Sequence, residues 1–172
     1  MKDILRRTQI LQDEIAESLN RQVQMEAQAS NAYLAMAAWC DKEGYDNSAK
    51  FFYEQSSEER EHQMKLFQYL LDMESMAYAP AVSQPNHEFA DLRSVFETAL
   101  EHEISVTDSI HNIVIQCRKS GDIATEEFMN WFVAEQREEE LVARKALGLF
   151  ELLGEDKFGL AQFEDKVLGL RG

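Results

Sequence analysis

Glycine and proline are absent from four long stretches of this chain: residues 1–43, 45–79, 86–120 and 122–147. These two residues end helices most readily, glycine by entering the left-handed region and proline by lacking an amide proton. Four uninterrupted stretches therefore predict four long helices. Gly44 separates the first pair and Gly121 the second, each where a helix end favours a positive φ. Both prolines, Pro80 and Pro85, fall in one segment between the second and third stretches, which shows neither a helical nor a strand pattern. A short apolar-rich segment from Phe158 to Leu170 predicts a small fifth helix. The expected helices cover 12–42, 46–76, 88–120, 122–153 and 157–168 of a single domain spanning 1–172.

Apolar residues recur at helical spacing in each stretch. Ile15, Leu19, Val23, Tyr33, Ala37 and Cys40 form one stripe, and Phe52, Leu66, Tyr69 and Met73 a second. Leu92, Phe96, Ala99, Val106, Ile110, Ile113 and Cys117 form a third, and Phe128, Phe132, Val142, Ala146, Leu149 and Leu153 a fourth. No segment alternates with period two, so the fold class is all-α. Tight turns at Gly44 and Gly121 make the helices they join antiparallel. The proline-containing loop, at about 15 residues, can reach roughly 50 Å, against a helix length of roughly 45 Å. It can run the length of the bundle and leave the second and third helices parallel. The expected fold is a four-helix bundle with one long crossover loop and a short C-terminal fifth helix.

Ionisable residues interrupt every stripe near its middle. Glu26 falls in the first, Glu59 and His62 in the second, Glu103 in the third, and Glu135 and Glu139 in the fourth. A midpoint stays at one height whichever way its helix runs, so these groups should converge on one level of the bundle. A buried carboxylate without a partner costs several kcal/mol or takes up a proton. Arg60 and Arg137 each neighbour one of these residues in sequence and so point away; nearby bases are not expected to balance the cluster. Bound cations would, and carboxylates with one imidazole suit iron or manganese better than a thiolate-seeking metal. Glu59-x-x-His62 puts both side chains on one helix face, as in carboxylate-bridged di-iron bundles.

The formal net charge is −15, which disfavours duplex nucleic acid and anionic membrane surfaces as partners and suits cations. With 45% hydrophobic residues the chain is not a disordered acidic tract. No segment matches a membrane span or a signal core, and the two cysteines, Cys40 and Cys117, form no disulfide framework. A cytoplasmic location is expected.

From about Leu19 to Leu168 the sequence resembles the non-haem bacterial ferritins. The matching segments are NRQVQMEAQASNAYLAMAAWC, EQSSEEREHQMKLFQYL, VFETALEHE and WFVAEQREEE, in the same order and spacing. The resemblance implies that Glu26, Glu59 and His62 bind a first iron, that Glu59 bridges to a second, and that Glu103 and Glu139 complete the second site. It implies that Gln136 lies beside the pair, or contacts iron through a water. Glu58, Glu135 and Glu138, with Glu139 shared, match a third iron site, and Tyr33 matches a tyrosine that can donate an electron. Gln136-x-x-Glu139 replaces the second Glu-x-x-His of di-iron oxygenases, which favours iron as a transient substrate. Arg60 stands where bacterioferritins carry a haem-ligating methionine, so no haem is expected.

The resemblance further implies an iron-storage ferroxidase that oxidises Fe(II) with O2 or H2O2 and lays down ferric mineral inside a hollow homo-oligomer of twenty-four subunits. The fifth helix would pack at a four-fold axis, and Asp122 and Glu126 would lie near three-fold pores. Two other readings stay open: a di-iron oxidase or peroxide-detoxifying enzyme that stores nothing, and a metal-free interaction bundle. Met36, Met64 and Met129 read as core filler, and His87, His102 and His111 as surface or capping residues. The N-terminal residues 1–12 look longer than is usual for the resembling family.

Overall fold

The computed structural model describes residues 11–171. Most of the N-terminal segment just mentioned lies outside them. Five α-helices follow in order, α1 (Asp13–Glu43), α2 (Asp46–Asp72), α3 (Leu92–Ser120), α4 (Ile123–Leu153) and α5 (Lys157–Val167), and then a 3-10 turn, η1 (Leu168–Arg171). Gly44 and Gly121 close α1 and α3 at φ 85° and 73°. These are left-handed values that a side chain would resist. α1 packs against α2, α3 against α4, and α1 against α3. Among the described residues there is no strand, and no helix is long and apolar enough to cross a membrane.

The crossover is longer than expected. α2 stops at Asp72 rather than 76, and α3 starts at Leu92 rather than 88. Glu74 takes a left-handed φ of 55° just past the end of α2. At the other end Asp91 and Ser94 cap each other's backbone in a reciprocal box, which fixes the start of α3. The loop between them is not loose. Asn20, Gln24 and Gln28, one helical turn apart on α1, hold it in succession. Asn20 donates to Met76 O and accepts from Tyr78 N, both at 2.9 Å. Gln24 donates to Ala81 O at 3.1 Å, and Gln28 accepts from Ser83 N at 3.1 Å. These amides give the loop's exposed backbone the partners a helix would otherwise supply.

The core is split in two. One apolar cluster contains Tyr33, Met36, Phe51, Phe52, Phe96, Phe150 and Phe163. The other contains Ile15, Leu19, Leu66, Leu70, Ile110 and Phe132. Along each of the four long helices the two clusters are separated by a stretch that buries polar side chains, with Ala27 on α1 and Ala143 on α4 as small apolar residues among them. The stripe of α4 sits slightly round from its expected phase. Met129, Phe132, Gln136, Glu139, Ala143, Ala146 and Phe150 are buried, whereas Phe128, Val142, Leu149 and Leu153 are half-buried. Large apolar side chains on the flank of α4 mislead the periodicity, because several of them cover the bundle's edge and α5. Met36 and Met129 fill the core as expected, but Met64 is exposed. His87 and His111 are exposed, while His102 is half-buried against Tyr33, with ring centroids 6.4 Å apart.

Candidate metal centre

Every long helix contributes to the polar layer. Glu26, Glu59, His62, Glu103, Gln136 and Glu139 are all buried, and the most exposed of them, Glu139, retains 7% of its surface. Glu26, Glu59 and His62 come together so that one ligand atom from each lies within 4.8 Å of the others. His62 Nδ1 stands 3.6 Å from Glu59 Oε2. Gln22 Nε2 donates to Glu26 Oε1 at 2.8 Å, and Gln22 Oε1 accepts from Ser109, which fixes the amide's orientation. Among the described residues, the other oxygen of Glu26 and Oε2 of Glu59 are buried without a hydrogen-bond donor.

The carboxylates of α3 and α4 are better provided for. Tyr33 donates its hydroxyl proton to Glu103 Oε1. Gln136 Nε2 donates to Glu103 Oε2 at 2.8 Å. Gln55 Nε2 donates to Glu139 Oε2 at 3.0 Å. Arg171, on the C-terminal turn, pairs with Glu139 at 3.3 Å and with Glu58. This arginine corrects the expectation that no nearby base offsets the cluster. It lies thirty-two residues beyond Glu139, outside any helical spacing, and only the return of the chain through α5 brings it in. Gln22 and Gln55 were also missed; amides on the inward face at one-turn spacing from Glu26 and Glu59 were the available signal.

Burial dominates the titration of the layer. It raises Glu26 well above the usual carboxylate range, and the neighbouring Glu59 adds to the shift. Glu59 rises for the same reason, with Glu103 as the next contributor. Burial raises Glu103 too, against the lowering effect of its bonds from Tyr33 and Gln136. Glu139 is pushed up to about 7 by burial, with Arg171 opposing and Glu103 adding. Burial and the charge of Glu103 hold the Tyr33 phenol well above its ordinary value, so it stays protonated as a donor. Carboxylates crowded this way either hold protons or share a cation, and donorless oxygens beside an imidazole fit a hard or borderline divalent metal.

The cavity lined by Tyr33, Gln55, Glu103 and Glu139 measures about 10 Å³, whereas a hollow of about 730 Å³ lies elsewhere on the surface, lined by Leu11, Asn20 and Tyr78. Single ions and diatomic molecules are the species that match the smaller space.

The remaining expected site residues are less engaged. Glu135 is half-buried and Glu138 exposed, and among the described residues neither bonds to the buried layer. Glu135 falls outside because the buried stripe of α4 runs through Gln136 instead. Asp122 caps α4, accepting from Thr125 N at 3.0 Å, and Glu126 pairs with Arg118 at 2.7 Å. Both are occupied by local helix-end roles.

A four-helix bundle with a long crossover and a buried carboxylate–histidine layer defines a class of metal-handling helical proteins. The comparisons with known proteins agree. The ferritin-like domain family matches residues 16–153, and the chain belongs to that family. It is 39% identical over 160 residues to a probable bacterial non-heme ferritin-like protein of Haemophilus influenzae, covering 93% of this chain and 96% of that one. It is 38% identical over 162 residues to a bacterial non-heme ferritin of Staphylococcus aureus, covering 94% and 97%. Among solved structures it resembles an open pore ferritin from the archaeon Archaeoglobus fulgidus, with a TM-score of 0.89 and 33% identity over 91% of this chain and 96% of that one.

Proposed function

We propose that this protein is an iron-storage ferroxidase. The observation that carries the reading is the buried group of Glu26, Glu59 and His62, whose ligand atoms lie within 4.8 Å of one another and two of whose oxygens have no donor. Fe(II) is the substrate. One ferrous ion is held by Glu26, Glu59 and His62, and a second by Glu103 and Glu139, with Glu59 between the two. The electrostatic proximity of Glu59 to Glu103 supports that sharing. Each ion gives up one electron. Together they supply the two that take O2 to the level of hydrogen peroxide, or peroxide to water, with two protons consumed.

The protein's own residues set the conditions for this step. Protons displaced from the carboxyls of the layer by arriving cations are available nearby for the reduced oxidant. Gln22, Gln55 and Gln136 orient one oxygen of Glu26, Glu139 and Glu103, leaving the second oxygen of Glu26 donorless for metal. Tyr33 holds Glu103 in place and is close enough to pass an electron inward. Glu58 extends the layer toward a third cation position; Glu135 and Glu138 would have to swing in from the flank to complete it. Oxidised iron then leaves for the interior of a homo-oligomeric shell, for which family resemblance suggests twenty-four copies.

Stepwise addition of Fe(II) in air to the apo-protein, followed by desalting and iron counting against particle mass, tests the reading. Iron far above three per subunit in a large particle is the expected result. Two or three irons per subunit on a small oligomer would replace storage by a di-iron oxidase.

A further inference from the structure

Of the neighbouring helix pairs around the polar layer, α2 and α4 stand furthest apart in backbone and meet through long side chains, with Gln55 Nε2 donating to Glu139 Oε2 at 3.0 Å and Tyr69 stacked on Phe128 at 3.8 Å. α1–α2, α3–α4 and α1–α3 approach with Cα atoms within 8 Å, but among the described residues no Cα of α2 comes that near to α4. The C-terminus lies across this pair, where α5 and η1 each touch both α2 and α4. Leu168 and Leu170 pack on the core, and the Arg171 guanidinium sits over the Phe51 ring with Cζ 5.3 Å from its centroid. The arginine side chain keeps 18% of its exposure and reaches Glu58 on one helix and Glu139 on the other.

This pairing is incomplete as a structural bridge. Among the described residues Arg171 Nε is buried without an acceptor, and an ion pair with an unsatisfied buried donor gives little net stability. Its position is that of a cation on carboxylates which, in the function proposed above, would hold iron. A divalent ion on Glu139 and Glu58 cannot coexist with a guanidinium on the same oxygens, because like charges at contact distance repel strongly. Arg171 makes no hydrogen bond or ion pair with Glu26, Glu59 or His62.

We infer that Arg171 is a built-in competitor for the α2/α4 side of the metal centre. It orders loading, so that the first cation enters at Glu26, Glu59 and His62, and the next must displace the C-terminal turn. Arg171 acts here as a positioning residue that sets affinity through Glu58 and Glu139. The inference rests on the proposed metal reading but can fail separately from it.

Calorimetric titration of the full-length apo-protein with Zn(II), a redox-inert probe, separates the two. The wild type should bind a first ion tightly and later ions weakly. Arg171→Ala should tighten the later steps about ten-fold, equivalent to about 1.4 kcal/mol, and leave the first unchanged. Arg171→Gln keeps a planar end over Phe51 without charge and should behave like the alanine variant, whereas Arg171→Lys should stay near the wild type. Hydrogen exchange of the 168–171 amides should rise when the wild type is saturated. Unchanged later steps in both uncharged variants, or equal changes in all steps, would overturn the inference with the metal reading intact. A first step that persists in a Glu59→Ala, His62→Ala variant would overturn the site assignment, and the inference with it.

Discussion

The two halves of the polar layer solve one problem differently. On the α1/α2 side, Glu26 and Glu59 face each other and His62 with donorless oxygens and, among the described residues, no cationic side chain bonded to them. On the α3/α4 side, Glu103 has Tyr33 and Gln136 as donors, and Glu139 has Gln55 and Arg171. The first half is left expensive without a ligand, and the second is kept tolerable by the protein's own groups. In the metal reading proposed above, such a site would favour one cation strongly and admit a second by exchange. Equal burial thus does not mean equal readiness to bind, because the partners each carboxylate already has decide what a metal must displace.

The sharpest break in that comparison is removal of the first half. Glu59→Ala with His62→Ala should reduce the rapid phase of Fe(II) oxidation in stopped-flow absorbance by more than about a hundred-fold, as for loss of a main metal-binding pair. The apo-protein's melting temperature should not fall in this variant, since a donorless buried carboxylate is removed along with its neighbour. Wild-type oxidation rates would sink the assignment.

Next in size is the pH response of the metal-free protein. Glu26, Glu59 and Glu103 are held above the ordinary carboxylate range, and Glu139 lies at about 7. A carboxyl raised in the folded state keeps its proton after the unfolded chain has lost it. The resulting stability is fully present below the unfolded value and is lost as pH rises through the folded one. The unfolding free energy from denaturant titration should therefore fall from about pH 4.5 to about pH 7, by on the order of 3 kcal/mol for Glu139 alone. Saturating Zn(II) should abolish the slope at its upper end, because the ionised carboxylates become ligands. A flat apo profile would show that the layer is less desolvated than its burial implies.

A smaller effect should separate the halves. Tyr33→Phe removes a donor from Glu103 while keeping the ring stacked on Phe52 at 5.9 Å. Oxidation should slow by about three- to ten-fold, as for loss of one charge-assisted hydrogen bond, with the first Zn(II) step unaltered. A changed first step would mean that the halves are not independent. The smallest effect is expected at a position outside the layer: Asp122→Ala should lower stability by about 1 kcal/mol through loss of the α4 cap, with oxidation by pre-loaded protein unchanged. A slower iron entry in Glu126→Ala, measured as uptake rather than oxidation, would show that this helix end also lines a pore.

Much of this was legible in the residues themselves. The distribution of glycine and proline determined four long helices, their two tight turns and the single crossover, because backbone stereochemistry at those positions is local. The midpoint glutamates and Glu59-x-x-His62 determined that a polar layer would form, because helical spacing fixes which side chains share a face. The sequence did not show the phase of α4, where Gln136 lies on the buried stripe and Glu135 on its edge, since neighbouring elements decide which flank of a helix is covered. Nor did it show the hold of Asn20, Gln24 and Gln28 on the crossover, or the arrival of Arg171 between Glu58 and Glu139. Those contacts join residues separated by 32 to 113 positions or by a loop without periodicity, and no local rule carries that far; only the packed chain brings the charge of its last turn to the carboxylates at its centre.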